Sequence, residues 1–234
     1  MPLPLWPEEK QLALYEATGY RWGHEETRRF LLDWDHRYHV VICPRRSSKS
    51  YSAAQKALPI ILGRESLPDG SGPLPTRVWI VGPTYELAER EFRYIWDILV
   101  RIGPRELGWP KPLLARDSKK GGELYILTAW GSEVVGKSAD KPQSLLGEAV
   151  DLVILSEAAQ HVADVWTRYL EPTLTTTRGY AIFPTTPDSS ALWLHDLWVK
   201  GKTGESPFIR AYTRPVTGNP TYPLDELEAK RVFY

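Results

Sequence analysis

The chain has 234 residues, 42% hydrophobic and 25% charged, enough for one large folded domain or a domain with a small appendage, and a composition that argues against disorder. Lys+Arg and Asp+Glu both number 29, so no net field draws the whole molecule onto nucleic acid, and any DNA contact must come from a local patch or from assembly into a ring. The single cysteine, Cys43, excludes a disulfide framework and a cysteine-based zinc site. No apolar stretch approaches the ~20 residues of a membrane span, and the start, MPLPLWPEEK, does not resemble a signal peptide; the chain reads most simply as cytosolic.

In chain order, residues 8–18 and 24–35 read as two short helices separated by a glycine-bounded turn. A strand at 38–43 follows, then a basic loop and a helix from Lys49 to Leu62. After a Gly/Pro/Ser loop at 63–75, Arg77 to Val81 reads as a buried strand. Apolar residues at helical spacing (Leu87, Phe92, Ile95, Trp96, Leu99) predict a helix from Thr84, its N-cap, to Ile102. Residues 104–122 look like a basic loop. Strands at 124–127 and 133–135 form a hairpin turning at Trp130-Gly131. The run Leu152-Val153-Ile154-Leu155 has the all-apolar character of a central parallel strand covered on both faces. A helix around 163–170 stops before Pro172. A strand at 180–183 then runs into PTTP, with a helix at 190–200, a last strand at 208–212, and a terminal helix from Leu224. Strands alternating with helices define an α/β fold around a mainly parallel central sheet flanked by helices.

Residues 43–50, CPRRSSKS, stand between a strand and a helix. That order suits a phosphate-binding loop: backbone N–H groups at a helix N-terminus face the anion, a lysine neutralises the outer phosphates, and a hydroxyl takes a Mg²⁺ position. Lys49 and Ser50 match the end of the G-x-x-x-x-G-K-[ST] pattern, while Cys43 and Ser48 occupy its glycine positions. A serine at 48 costs ~1–2 kcal/mol if the backbone there is left-handed. Arg45 and Arg46 bring guanidinium groups to the same anion. The nucleotide-binding set is therefore Pro44, Arg45, Arg46, Ser47, Ser48, Lys49, Ser50 and Tyr51, with ATP and Mg²⁺ as the ligands. The alternative is a solvated basic turn that caps a helix.

Downstream, Asp151 to Glu157 is an apolar strand ending in an acid. In phosphate-loop ATPases the corresponding strand ends in Asp-Glu, the aspartate serving Mg²⁺ and the glutamate orienting water. Glu157 fits the second role; the first falls on Ser156, which could serve the metal only as a hydroxyl, directly or through water. Asp151 lies about 16 Å away at ~3.3 Å per strand residue and cannot substitute. Thr185, Thr186 and Pro187, at the tip of a third apolar strand, are placed to sense a γ-phosphate and relay its loss.

Together, CPRRSSKSYSAA (43–54), WIVGPTYELAE (79–89), GKSADKPQSLLGEAVDLVILSEAA (136–159), VWTRYLEPTL (165–174), FPTTPDSSALWLHDLW (183–198) and the TGNP at 217–220 resemble the ATPase domain of a tailed-phage terminase large subunit over about residues 19–225. The resemblance implies a phosphate-loop NTPase of the additional-strand, catalytic-glutamate type. It implies a lead-in at 1–36, an ATPase core at 37–215, and at 216–234 the start of a linker toward a nuclease domain, so that this chain would hydrolyse ATP without cleaving DNA. Arg45 would sense the nucleotide, Lys49 bind β/γ-phosphates, Ser50 ligate Mg²⁺, Glu157 act as catalytic carboxylate and Thr186 belong to the coupling motif. The implied partners are double-stranded DNA, further copies in a ring on the prohead portal, and a small terminase subunit, with no membrane; the implied place is the host cell cytoplasm. Leu146 stands where some relatives carry an arginine reaching into the next subunit, with Arg116 and Arg168 as candidate replacements. No adenine-reading glutamine is assigned: Gln11 is too far from the loop, and Glu26-Thr27 stand where relatives often carry it. The rival readings are another nucleic-acid-dependent ATPase, and a nucleotide-binding module with weak or no catalysis that serves assembly or regulation. Trp79, Trp96, Trp166 and Trp193 are assigned to core packing, Trp198 is left open, and Lys137 and Lys119-Lys120 are read as solvated.

Overall fold

The computed structural model describes residues 6–63, 74–117, 123–216, 219 and 223. Helices α1 (Glu8–Ala17) and α2 (Glu25–Leu32) precede strand β1 (Tyr38–Ile42), helix α3 (Lys49–Ile61), strand β2 (Arg77–Gly82) and helix α4 (Tyr85–Trp96). α4 continues through a π-helical turn, Asp97–Ile102, into a short α5 (Gly103–Glu106). Strands β3 (Leu114–Arg116), β4 (Tyr125–Leu127), β5 (Glu133–Ser138), β6 (Leu152–Leu155) and β7 (Tyr180–Thr185) follow, then α6 (Leu192–Thr203) and β8 (Ile209–Tyr212). The eight strands form one sheet in the order β3-β4-β5-β2-β6-β7-β1-β8. The pairings from β5 to β8 are all parallel, and β3-β4 and β4-β5 are antiparallel.

Two apolar layers follow from the two-residue period of the strands. Val41, Val78, Ile80, Ile154 and Ile182 point to one face, against α3, α4 and the residues Tyr15, Phe30 and Leu31 of the two N-terminal helices. Val40, Trp79, Val81, Val153, Leu155, Ala181 and Phe183 point to the other, against Trp166, Leu170, Leu174 and Leu194. Each fully buried aliphatic side chain contributes roughly 1.5–3 kcal/mol, so the central strands are held from both sides. α3 lies deep in the first layer, its residues from Ser52 to Ile61 all buried. Parallel pairing puts the carboxyl ends of β2, β6, β7 and β1 on one edge, and β7 lies between β1 and β6. Ligands bind at that edge in open parallel sheets, where the strand order reverses.

Several elements differ from the sequence reading. Residues 114–116, read as loop, form the edge strand β3, which lacks a continuous apolar run because two of its three residues are exposed. The helix expected around 163–170 is a π-helical turn, Val165–Leu170, passing into a 3₁₀ turn, Glu171–Leu174, that contains Pro172 near its start. β7 extends two residues further than expected, through Pro184 to Thr185. Its pairing with β6 ends at Ile182↔Ile154, and only β1 continues beside it, so the missing Pro184 N–H falls where one neighbour has already ended. Thr84 occupies the α4 N-cap with extended backbone, but its side chain makes no capping bond. Gly82 explains the tight strand-to-helix turn: a Cβ there would collide with the Ala88 nitrogen. Trp79 and Trp166 are buried, and Trp198 packs beside the second layer with Trp193. Lys137 is half-buried rather than freely solvated; its Nζ sits 4.0 Å over the Trp79 ring. Lys119-Lys120, the tail helix from Leu224 and most of the TGNP segment fall outside the described residues.

Candidate functional site

β1 delivers the loop to the carboxyl edge, where the Cys43 N–H donates to the Thr185 carbonyl (3.1 Å). Arg46 (φ 64) and Ser48 (φ 62) then adopt left-handed backbone, and α3 begins at Lys49. The position where the pattern has its second glycine thus does need a positive φ, and Ser48 carries that strain. Ser48→Gly is expected to stabilise the chain: relief of ~1–2 kcal/mol is partly offset by ~0.5–1 kcal/mol of extra unfolded-state freedom. The melting temperature should rise by about 1–4 °C; a lower one would mean that the loop depends on the serine side chain.

Arg45 and Arg46 are exposed, while Ser47 is buried and its hydroxyl has no hydrogen-bond partner among the described residues. Lys49 is only 8% exposed. Burial pushes its pKa down, against the pull of Glu157, Cys43 and Glu91. Residues 45–51 line one wall of a cavity of about 870 Å³. Glu157, Ala159, Gln160, Thr185, Thr186, Pro187 and Asp188 also line the cavity, as do Arg90 and Tyr94 of α4. The cavity therefore gathers the basic loop, the acid after β6 and the β7 tip. Pro44, by contrast, is exposed and not on its lining.

Glu157 sits at φ 48, a left-handed, strained backbone at the strand tip. Its Oε1 accepts from Arg90 Nη1 at 2.7 Å. Thr185 ties the three strand tips together: its carbonyl accepts from Cys43, its Oγ1 accepts from the Ala159 N–H (3.2 Å), and its hydroxyl donates to the Thr186 carbonyl (3.2 Å). Asn219, in the TGNP segment, lines the same cavity and donates from Nδ2 to the Arg46 carbonyl at 2.7 Å.

Ser156 is wholly buried and is not on the cavity lining. Its hydroxyl donates to Glu91 Oε2 (2.7 Å) and lies 3.0 Å from the Leu87 carbonyl. His161 closes the same turn with its Nε2 3.0 Å from the Ser156 carbonyl; burial pushes its pKa down to about 4, only partly opposed by that bond, so the ring is neutral and donates. Asp151 lies at the opposite end of β6, where its Oδ2 accepts from the Arg77 N–H. Gln11 is buried between the Trp6 carbonyl and Trp34 Nε1, and Thr27 Oγ1 accepts from the buried Arg214; neither, nor Glu26, lines the cavity. Arg116 pairs with Glu123 and Arg168 with Asp164, and Leu146 is 51% exposed.

The sequence reading missed Arg90, Glu91, Tyr94 and Asn219. Glu91 had a visible signal: it occupies the inward stripe Ala88, Glu91, Phe92, Ile95 of α4, an acid where the helical period calls for an apolar residue. No group of three or more His, Cys, Asp or Glu side chains able to hold a metal exists among the described residues. The Ser50 hydroxyl, on the cavity lining with the Glu91 carboxylate near it, nevertheless fits Mg²⁺, which keeps waters and is held largely by a substrate's phosphates.

The fold is that of the additional-strand phosphate-loop NTPases, β7 being the strand inserted between β1 and β6. No protein-family model matches the sequence. The sequence is similar to terminase large subunits: it is 29% identical over 209 residues to those of Thermus phage G20c and of Thermus virus P23-45, matching 85% of this chain. It spans only 37% of the length of each of these relatives. The large terminase ATPase domain of Thermus phage P74-26 superimposes with a TM-score of 0.67 at 23% identity, over 94% of this chain and 91% of that one. The large terminase of another thermophilic bacteriophage, solved in complex with ADP, gives 0.63 at 13% identity, over 90% of this chain and 50% of that one.

Proposed function

We propose that the chain is the ATP-hydrolysing motor domain of a phage DNA-packaging terminase. The observation that carries this reading is the convergence of Lys49, Arg45 and Glu157 on one cavity at the carboxyl edge of the sheet. The triphosphate would lie along residues 45–51, its charge balanced by Lys49, Arg45 and Arg46, with the Ser47 hydroxyl, which has no partner among the described residues, supplying a further bond. Ser50 would hold Mg²⁺, which when bound neutralises charge on the phosphates. Glu157 would orient the attacking water, and Arg90 fixes that carboxylate. Catalysis of this kind is positioning and charge stabilisation.

Thr185 offers the route from chemistry to motion. It bonds both to the loop strand and to the segment after Glu157, so loss of the γ-phosphate would be felt by β7, Thr186, Pro187 and the α6 beyond. In a ring on the prohead portal, supplied with DNA by a small subunit, that motion would translocate double-stranded DNA through contacts with backbone phosphates. Within this reading residues 37–215 are the ATPase core, 1–36 its helical lead-in, and 216–234 the start of a linker. It would work in the host cytoplasm; among the described residues no helix is long and apolar enough to cross a membrane. A binding module without turnover is the second reading, favoured by the absence of an acid at Ser156.

The test is Lys49→Ala, followed by nucleotide affinity and phosphate release. Losing a charge-assisted contact of ~1.5–3 kcal/mol should weaken binding about 10- to 150-fold and abolish turnover. Undiminished affinity would reject the site, and binding without turnover by the unaltered chain in an assembled ring would favour the second reading.

A further inference from the structure

Ser156 leaves the usual metal-serving strand position without a carboxylate, yet a carboxylate is present there from another element. We propose that Glu91, projecting from α4, takes over the role of the acid missing at 156: it orients Ser50 as a ligand and supplies the negative charge behind a nucleotide-bound divalent cation. This rests on the nucleotide reading above.

The geometry is specific. Glu91 is 1% exposed; its carboxylate accepts from the Ser156 hydroxyl at 2.7 Å, and the Ser50 hydroxyl stands near enough to favour its charged form. A serine that ligates a cation must turn its lone pairs to the metal and its proton to an acceptor. Glu91 is that acceptor. Ser156, donating to the same carboxylate and close to the Leu87 carbonyl, holds it in place; the strand residue has become the support and the helix residue the acid.

Electrostatics point the same way. Among the described residues no lysine or arginine closes an ion pair with Glu91, although Lys49 lies close enough to feel its charge. Glu157 is a second nearby negative charge. A buried carboxylate without a cation paired to it is costly, and a divalent cation on the far side of Ser50 would offset that cost. The neighbours of Glu91 on the same helix stripe, Ala88, Phe92 and Ile95, are apolar and buried, so the acid is not part of a general polar face.

Glu91 acts through Ser50, and is therefore a positioning residue. The test uses Mn²⁺ in place of Mg²⁺, with its affinity read by electron paramagnetic resonance in the presence of saturating non-hydrolysable ATP analogue. Analogue affinity without metal is measured alongside. Glu91→Gln should weaken Mn²⁺ binding about tenfold and leave metal-free analogue affinity within about twofold. Glu91→Gln with Ser156→Asp, which returns an acid to the strand, should recover most of the loss. Unchanged Mn²⁺ affinity in Glu91→Gln would overturn the proposal, as would an equal loss of metal-free binding. If Glu91→Gln alone does not fold, the double variant decides: near-native Mn²⁺ affinity supports the exchange, and a tenfold deficit overturns it. An unaltered chain that binds no analogue overturns the nucleotide reading itself, and this inference with it.

Discussion

Glu157→Gln should reduce ATP turnover by at least about 100-fold while nucleotide binding stays within a few-fold of the unaltered chain. The glutamine keeps the size of the side chain and can still accept from Arg90, which now holds Glu157 Oε1 at 2.7 Å. It cannot draw a proton from water. Positioned acid–base groups contribute roughly 10²–10⁴-fold, so the loss falls on the chemical step alone. Phosphate release measured under identical assembly conditions separates the alternatives. Unchanged release would remove Glu157 from catalysis; an equal loss of binding and turnover would instead mean that its main task is to hold Arg90 or the strained turn at φ 48.

The largest stability effect is expected at Lys56, far from chemistry. Its ammonium is completely buried and donates to the Phe30, Leu31 and Asp33 carbonyls at the end of α2, with the Trp34 ring centre 3.8 Å away. Lys56→Met preserves much of the volume but strands those carbonyls. Replacing a buried charge by an apolar group can be neutral when its partners are replaced too; here they are backbone and remain. A loss of about 3–5 kcal/mol follows, or on the order of 10 °C in melting temperature. Burial pushes the Lys56 pKa from 10.5 down to about 7, only partly opposed by Asp33. Between those values the unfolded chain binds a proton that the folded chain has released. Stability of the unaltered protein should therefore gain from this group as pH rises from about 7 toward 10.5. Melting curves across that range should show the gain, and Lys56→Met should lack it. Equal stability of the two proteins would mean that water or a shifted α2 satisfies the carbonyls.

These effects divide along the line of what a sequence displays. The central strands were legible because residues buried on both faces write a continuous apolar run, as Leu152 to Leu155 does. The basic loop was legible because Lys49-Ser50 follows a strand and opens a helix, and Glu157 because it ends one. β3 was not, since an edge strand with exposed residues has no such pattern, and β7 beyond Phe183 was hidden by Pro184. The role of α4 was half visible. Its helical period placed Leu87, Phe92 and Ile95, but Arg90 and Tyr94 line the cavity, and Glu91 lies behind Ser156, where Gly82 lets the helix fold tightly onto the end of β2. Asn219 could not be placed from spacing, since its bond to the Arg46 carbonyl spans 173 residues of chain. Lys137 misled because a lysine over a tryptophan face reads in sequence like any surface lysine.

A triphosphate between the loop at 45–50 and Glu157 is the arrangement on which every functional step above depends. A crystal structure with a non-hydrolysable ATP analogue and Mg²⁺ tests it most directly. The β- and γ-phosphates should lie against Lys49 and the N-terminus of α3, with the metal at Ser50 and the Glu157 carboxylate facing the terminal phosphorus. An analogue bound elsewhere, with Lys49 and Glu157 untouched, would contradict it.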